Sequence, residues 1–141
     1  MVLERDAELL ALDRATCMAL LRTQLVGRLV VPGDDLRVLP VNFVVADDSI
    51  VVHVAVGSAV DSAAGQDVMF EVDMFDERTR SGWSVLARGR LLVPSEPPDV
   101  AVVPWAPGPH DRTMLVTLET LTGRLLRGAV EGSERAPGGY L

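Results

Sequence analysis

Connection length is the feature that most limits what this chain can fold into. Apolar runs that read as strands follow one another with little between them. A parallel crossover needs a connection of roughly a dozen residues or more, so repeated βαβ units are excluded. The runs are Leu25 to Val31, Leu36 to Ala46, Ile50 to Val56, Val68 to Phe75, Gly82 to Val93 and Met114 to Leu118. Turn chemistry separates them: Pro32-Gly33-Asp34-Asp35, Asp47-Asp48, and the charged stretch Asp76 to Ser81. The strand over Val68 to Phe75 alternates, with Phe70, Val72 and Met74 on one face and Glu71 and Asp73 on the other. Pro40 lies inside the second run, where a missing N–H points to an edge strand or a bulge.

Two short helices fit between these runs. Asp13 can cap one over Asp13 to Thr23, with Cys17, Leu20 and Leu21 as its apolar stripe. A second runs from Ala59 to Ala64, with Ser58 at its start and Gly65 at its stop. Val2 to Leu12 is mixed and amphipathic. The stretch Pro94 to Pro109, with Pro104-Trp105-Ala106-Pro107-Gly108-Pro109, is too proline-rich for a regular element. The expectation is a mainly β protein with short helices and a closed antiparallel sheet. It is one domain over 1–127, and the Gly- and Pro-rich segment 128–141 is expected to be a flexible tail.

Composition narrows the function classes. At 141 residues the chain is long enough to bury a core without a metal or disulfide staple. Its formal charge of -7 repels a phosphate backbone, which argues against nucleic acid as a partner. All thirteen basic residues are arginine, so no lysine is available for a Schiff base or a phosphate contact. A lone cysteine, Cys17, fits a reducing compartment, and Met1 to Asp6 lacks the pattern of a secretory signal. No apolar run approaches the roughly 20 residues of a membrane helix. A cytoplasmic protein with no membrane partner is expected.

Seven segments, in order, resemble the pyridoxamine 5'-phosphate oxidase-like family. They are Val26-Gly27-Arg28-Leu29, Leu39-Pro40-Val41-Asn42-Phe43, Gly57-Ser58 opening a helix, Phe70-Glu71-Val72-Asp73, Thr79 to Arg90, Pro104 to Gly108, and Leu121-Thr122-Gly123-Arg124. The likeness is nearest to the small, mostly actinobacterial branch related to nitroimidazole-resistance proteins, and it covers residues 13 to 126. It implies a six-stranded split β-barrel that forms a homodimer. It also implies FMN in a groove between the subunits and a small-molecule substrate. Relatives use the same groove for a deazaflavin or for haem.

The resemblance places candidate residues. Gly57 and Ser58 would meet the flavin phosphate, because a helix start offers free N–H groups and a partial positive charge. An ordinary helix cap explains them equally well. Relatives carry a basic residue directly after this pair; here Ala59 follows, and Asp61 stands in the same first turn. Two like unit charges 4 Å apart repel by about 4 kcal/mol at a surface dielectric. Arg28, Arg88, Arg90 and Arg124 are the candidates to compensate. Leu39, Pro40, Val41 and Asn42 would run along the isoalloxazine ring, and a buried Asn42 needs a hydrogen-bond partner, from ligand or backbone.

His53, in an apolar strand, is more commonly structural than ligand-binding, and His110 is expected in solvent. Trp83 and Trp105 are two of six aromatic residues; Trp83 suits a ring contact or, equally, core or dimer-interface packing, and Trp105 suits a lid. Ser84 and Arg124 are further candidate contacts. Arg88 and Arg90 are expected to pair with Glu71 and Asp73 across strands. No catalytic side chain and no metal site is found. Two functions follow: a flavoenzyme passing a hydride or electrons from FMN or a deazaflavin to a small acceptor, or a non-catalytic binder of a planar ligand in the same groove. Oxidation of pyridoxamine phosphate itself is disfavoured, since no basic cluster awaits a second phosphate.

Overall fold

The computed structural model describes residues 6–129. Its elements, in chain order, are β1 (Glu8–Leu12), α1 (Arg14–Leu21), β2 (Val26–Val31), β3 (Arg37–Asn42), β4 (Val44–Ala46), β5 (Ser49–Val54), α2 (Ala59–Ser62), β6 (Asp67–Asp76), β7 (Ser81–Leu92), β8 (Arg112–Thr117) and β9 (Thr120–Arg127). Every pairing between them is antiparallel. The expected class, mainly β with short helices in a curled antiparallel sheet, is what forms.

The strands run β3-β2-β6-β7-β8-β5-β4. The two ends of that path are consecutive stretches of chain, joined only by Phe43. The sheet therefore curls back on itself through one bent strand, and the expected run Leu36 to Ala46 is broken at that bend. A second corner lies at Leu118–Glu119. The long β7 pairs with β6 along ten residues, with β9 through Gly82–Arg88 and with β8 through Leu91–Leu92. β8 and β9 are thus neighbours of one strand but not of each other, and β7 belongs to both lobes of a split barrel.

Phe43 is buried because it turns inward at the bend. Its ring meets Phe70 edge-on, with centroids 4.9 Å apart and planes at 73°. Both rings sit among Leu21, Leu29, Val72, Val85, Leu91 and Met114 in one core. Burying each ring removes enough apolar surface to contribute about 2 to 3 kcal/mol. Gly27 permits this packing: a Cβ there would overlap Cζ of Phe70. α1 covers one end of the core through Cys17, Met18 and Leu21. Its cap is the expected one: Thr16 N–H donates to Asp13 Oδ1 at 2.8 Å, which holds the Asp13 carboxyl below its ordinary pKa. Burial pushes the Cys17 thiol up.

Three expectations need correction. Six strands were expected, and nine are seen among the described residues. β1 and β9 are added at the flank, where Glu8 pairs in register with Arg127, and the second run splits into β3 and β4. Arg88 and Arg90 do not take Glu71 and Asp73. The register sets Arg28 opposite Glu71 and Arg88 opposite Met69, so Arg28 bonds both carboxylates at 2.9 and 3.0 Å, while Arg90 reaches Asp67 at 3.4 Å. The helices stop at Leu21 and Ser62, short of the expected Thr23 and Ala64. Gly128, buried, still donates its N–H to Ser81 Oγ; the remainder of the expected tail, residues 130–141, lies outside the described residues.

Candidate functional site

β3 pairs only with β2 among the described residues, so Pro40 stands in an edge strand, where a missing N–H is tolerated. Beside this edge lies a cavity of about 400 Å³. One wall is Leu39, Pro40, Val41 and Asn42. The end of β5 contributes His53 and Val54, and the start of α2 contributes Ser58, Ala59 and Val60. The loop after β7 closes the remaining side with Val102, Pro104, Ala106, Pro107, Pro109 and His110. A second cavity of about 440 Å³, between Val30, Met69, Arg88 and Thr120, contains none of the eleven candidate binding residues, and of the arginines weighed for the phosphate it is lined by Arg88 alone.

Six of the eleven candidates therefore line one cavity, and Gly57 adjoins it at the head of α2. Trp83, Ser84 and Arg124 do not line it. Ser84 and Arg124 face each other across β7 and β9, and Trp83 packs against the core. Trp105 is 69% exposed, and its indole lines no part of the cavity. Its backbone does the work instead: Trp105 N–H donates to Asn42 Oδ1 at 2.9 Å. Asn42 Nδ2 in turn donates to Leu25 O at 3.2 Å. The Asn42 amide thereby ties the proline loop to the edge of the sheet, and protein atoms supply the partners it needs.

The far end of the cavity is where an anion would be held. Gly57 takes φ +82°, a conformation that glycine adopts freely, and Ser58 caps α2 by accepting from Asp61 N–H at 3.3 Å. Several of the surrounding donors are already engaged. Gly57 N–H donates to Asp61 Oδ2 at 2.7 Å, and Arg112 Nη1 stands 3.5 Å from Asp61 Oδ1. Val56 N–H donates to Asp111 Oδ1 at 3.2 Å, and Ser58 N–H to Ala55 O at 3.1 Å. Two carboxylates face one guanidinium here, so the local charge is net negative. The residues suit a flat apolar ring along Leu39–Asn42; they do not suit the phosphate of FMN.

Sequence reasoning overlooked one group and misplaced another. Arg112, not Arg28, Arg88, Arg90 or Arg124, is the arginine beside Asp61. It opens β8, and the register that sets it opposite Val54 is invisible in the local sequence. His110 is half-buried in the cavity wall rather than in solvent, with Nδ1 2.9 Å from Gly108 O. The run of prolines flanking it was the available signal. Among the described residues no cluster of three or more metal-ligating side chains occurs, and no helix is long and apolar enough to cross a membrane.

Fold and cavity together define a split-barrel protein with a mostly apolar slot at one sheet edge. The sequence profile of the pyridoxamine 5'-phosphate oxidase family matches residues 13–124. The chain belongs to that family. An uncharacterized protein of Mycobacterium tuberculosis is 35% identical over 130 residues, covering 82% of this chain and 84% of its own. An FAD binding protein from Mycobacterium smegmatis is 28% identical, covers 85% of this chain and 100% of its own, and superimposes with a TM-score of 0.68. A Corynebacterium glutamicum structure reaches a TM-score of 0.73 at 24% identity, over 85% of this chain and 99% of the other, a likeness of fold alone.

Proposed function

We propose that this protein binds the isoalloxazine ring of a flavin in the cavity beside β3 and acts as an oxidoreductase on a small acceptor. The observation that carries this reading is the cavity itself. A mostly apolar slot is held between a sheet edge and a stiff proline loop, in a family with a flavin-binding relative. When bound, the flavin supplies the hydride or electron transfer. The chain's own residues hold the ring, cover it and exclude water. No side-chain acid or base is required of them.

A homodimer belongs to the same proposal. Pro40, Pro104, Pro107 and Pro109 line the cavity yet are exposed, so one side of it lacks a cover. Leu25, Leu36, Val38, Phe75 and Val103 are more than half exposed, an apolar surface that a second copy would bury. Trp83, Ser84 and Arg124 would then approach a ligand only from the partner. A second reading, a non-catalytic holder of a deazaflavin, haem or another planar molecule, is favoured by Asp61 at the anion end.

The absorption spectrum of freshly purified protein, with mass spectrometry of what heat releases, tests both readings. Flavin bands with a flavin mass support the first. Flavin bands without electron transfer to any acceptor support the second. A colourless protein that ignores added flavins and deazaflavin removes the flavin reading. Light scattering at micromolar concentration tests the dimer; a monomer there refutes it.

A further inference from the structure

We infer that Asp61 is an internal substitute for a ligand phosphate, and that the cavity selects a flavin-type ligand ending in a neutral chain over one ending in a phosphate monoester. The inference rests on the flavin reading above and names the ligand class for that cavity.

Three observations carry it. The Gly57 N–H, at the one positive-φ position of the α2 start, is bound by Asp61 Oδ2 at 2.7 Å. The guanidinium of Arg112 faces the other oxygen of the same carboxylate at 3.5 Å, and the Asp61 side chain is only 14% exposed. Val56 N–H is bound by a second carboxylate, Asp111. A planar group with two acceptor oxygens, one on a backbone N–H and one facing an arginine, takes the Gly57 N–H and the only guanidinium beside it among the described residues, two donors that a phosphate would seek. An incoming dianion would have to displace a charged group that already holds one hydrogen bond and one ion pair, and would meet Asp111 beside it. A ribityl hydroxyl meets no such barrier, because it brings no charge.

The test compares two ligands that differ only in the phosphate. Riboflavin and FMN are titrated into the full-length protein, with flavin fluorescence as the readout, for the wild type, Asp61→Asn and Asp61→Ala. Asp61→Asn keeps the shape and an acceptor for Gly57 while removing the charge, and so guards against a folding defect in the alanine variant. The wild type is expected to bind riboflavin about tenfold more tightly than FMN, and Asp61→Ala to shift that ratio about tenfold or more toward FMN. Asp61→Asn should shift it in the same direction by less. Inorganic phosphate should raise the melting temperature of Asp61→Ala and leave the wild type unmoved against a chloride control. Tighter FMN than riboflavin binding by the wild type, or a ratio unchanged in both variants, overturns the inference while the flavin reading stands. Binding of neither flavin by any of the three proteins overturns both.

Discussion

Asn42→Ala removes the bond that ties the proline loop to the sheet edge, Trp105 N–H to Oδ1 at 2.9 Å, and the bond that anchors the Asn42 amide itself, Nδ2 to Leu25 O at 3.2 Å. A neutral hydrogen bond contributes about 0.5 to 1.5 kcal/mol net. Asn42 is half-buried, so each bond belongs toward the lower part of that range, about 0.5 to 1 kcal/mol, and only the Trp105 bond breaks when the loop opens. Opening of the loop should then increase about two- to fivefold, since 1.4 kcal/mol is a factor of ten. Hydrogen exchange read at the Trp105 amide reports this directly, because that N–H is itself the donor. Asn42→Asp is the internal control. It keeps an acceptor for Trp105 and loses the donor to Leu25, so Trp105 protection should survive while the melting temperature falls. Equal exchange of the Trp105 amide in wild type and Asn42→Ala would refute the reasoning. The loop would then be held by Val102 and its prolines, and Asn42 would be free for another partner.

The packing of Phe70 over Gly27 predicts that Gly27→Ala destabilises by about 1 to 3 kcal/mol, since the ring is fully buried, boxed by Phe43 and unable to give. Phe70→Leu in the same chain should relieve part of this, with a coupling of about 1 kcal/mol in a denaturant double-mutant cycle; strict additivity would contradict the contact. Glu71 is pushed up to about 7, first by burial and then by Asp73, against the opposing pull of Arg28. The native state therefore holds a proton that the unfolded chain releases near its ordinary value of 4.5, and stability should fall as pH rises from about 4.5 to 7. Allowing for screening at a group more than a quarter exposed, the loss is about 1 kcal/mol. Glu71→Gln should remove that part of the slope in denaturation midpoints measured across the window, and an unchanged slope would count against the assignment.

Local physics alone determined much of this protein. Short connections excluded crossovers, alternation at Phe70, Glu71 and Val72 set the faces of β6, and Asp13 and Ser58 fixed where two helices begin. These depend on residues within a few positions of each other, and such signals survive in a linear sequence. The wall Leu39–Asn42 and the proline loop were also legible, from the resemblance and from composition. Tertiary structure decided the rest. β1 (Glu8–Leu12) shows no alternation and becomes a strand only because the other end of the chain pairs with it, while β9, with Gly123 at its centre, is held between β7 and β1. Closure of the sheet depends on one residue, Phe43, turning into a core that the sequence does not announce. The pairing of Asp61 with Arg112, which governs what the cavity can hold, joins residues brought near by the register of β5 with β8. A charge at Asp61 reads as repulsion in the sequence. Only the fold turns it into an occupied site, because the sign of its effect depends on which cation and which N–H stand beside it.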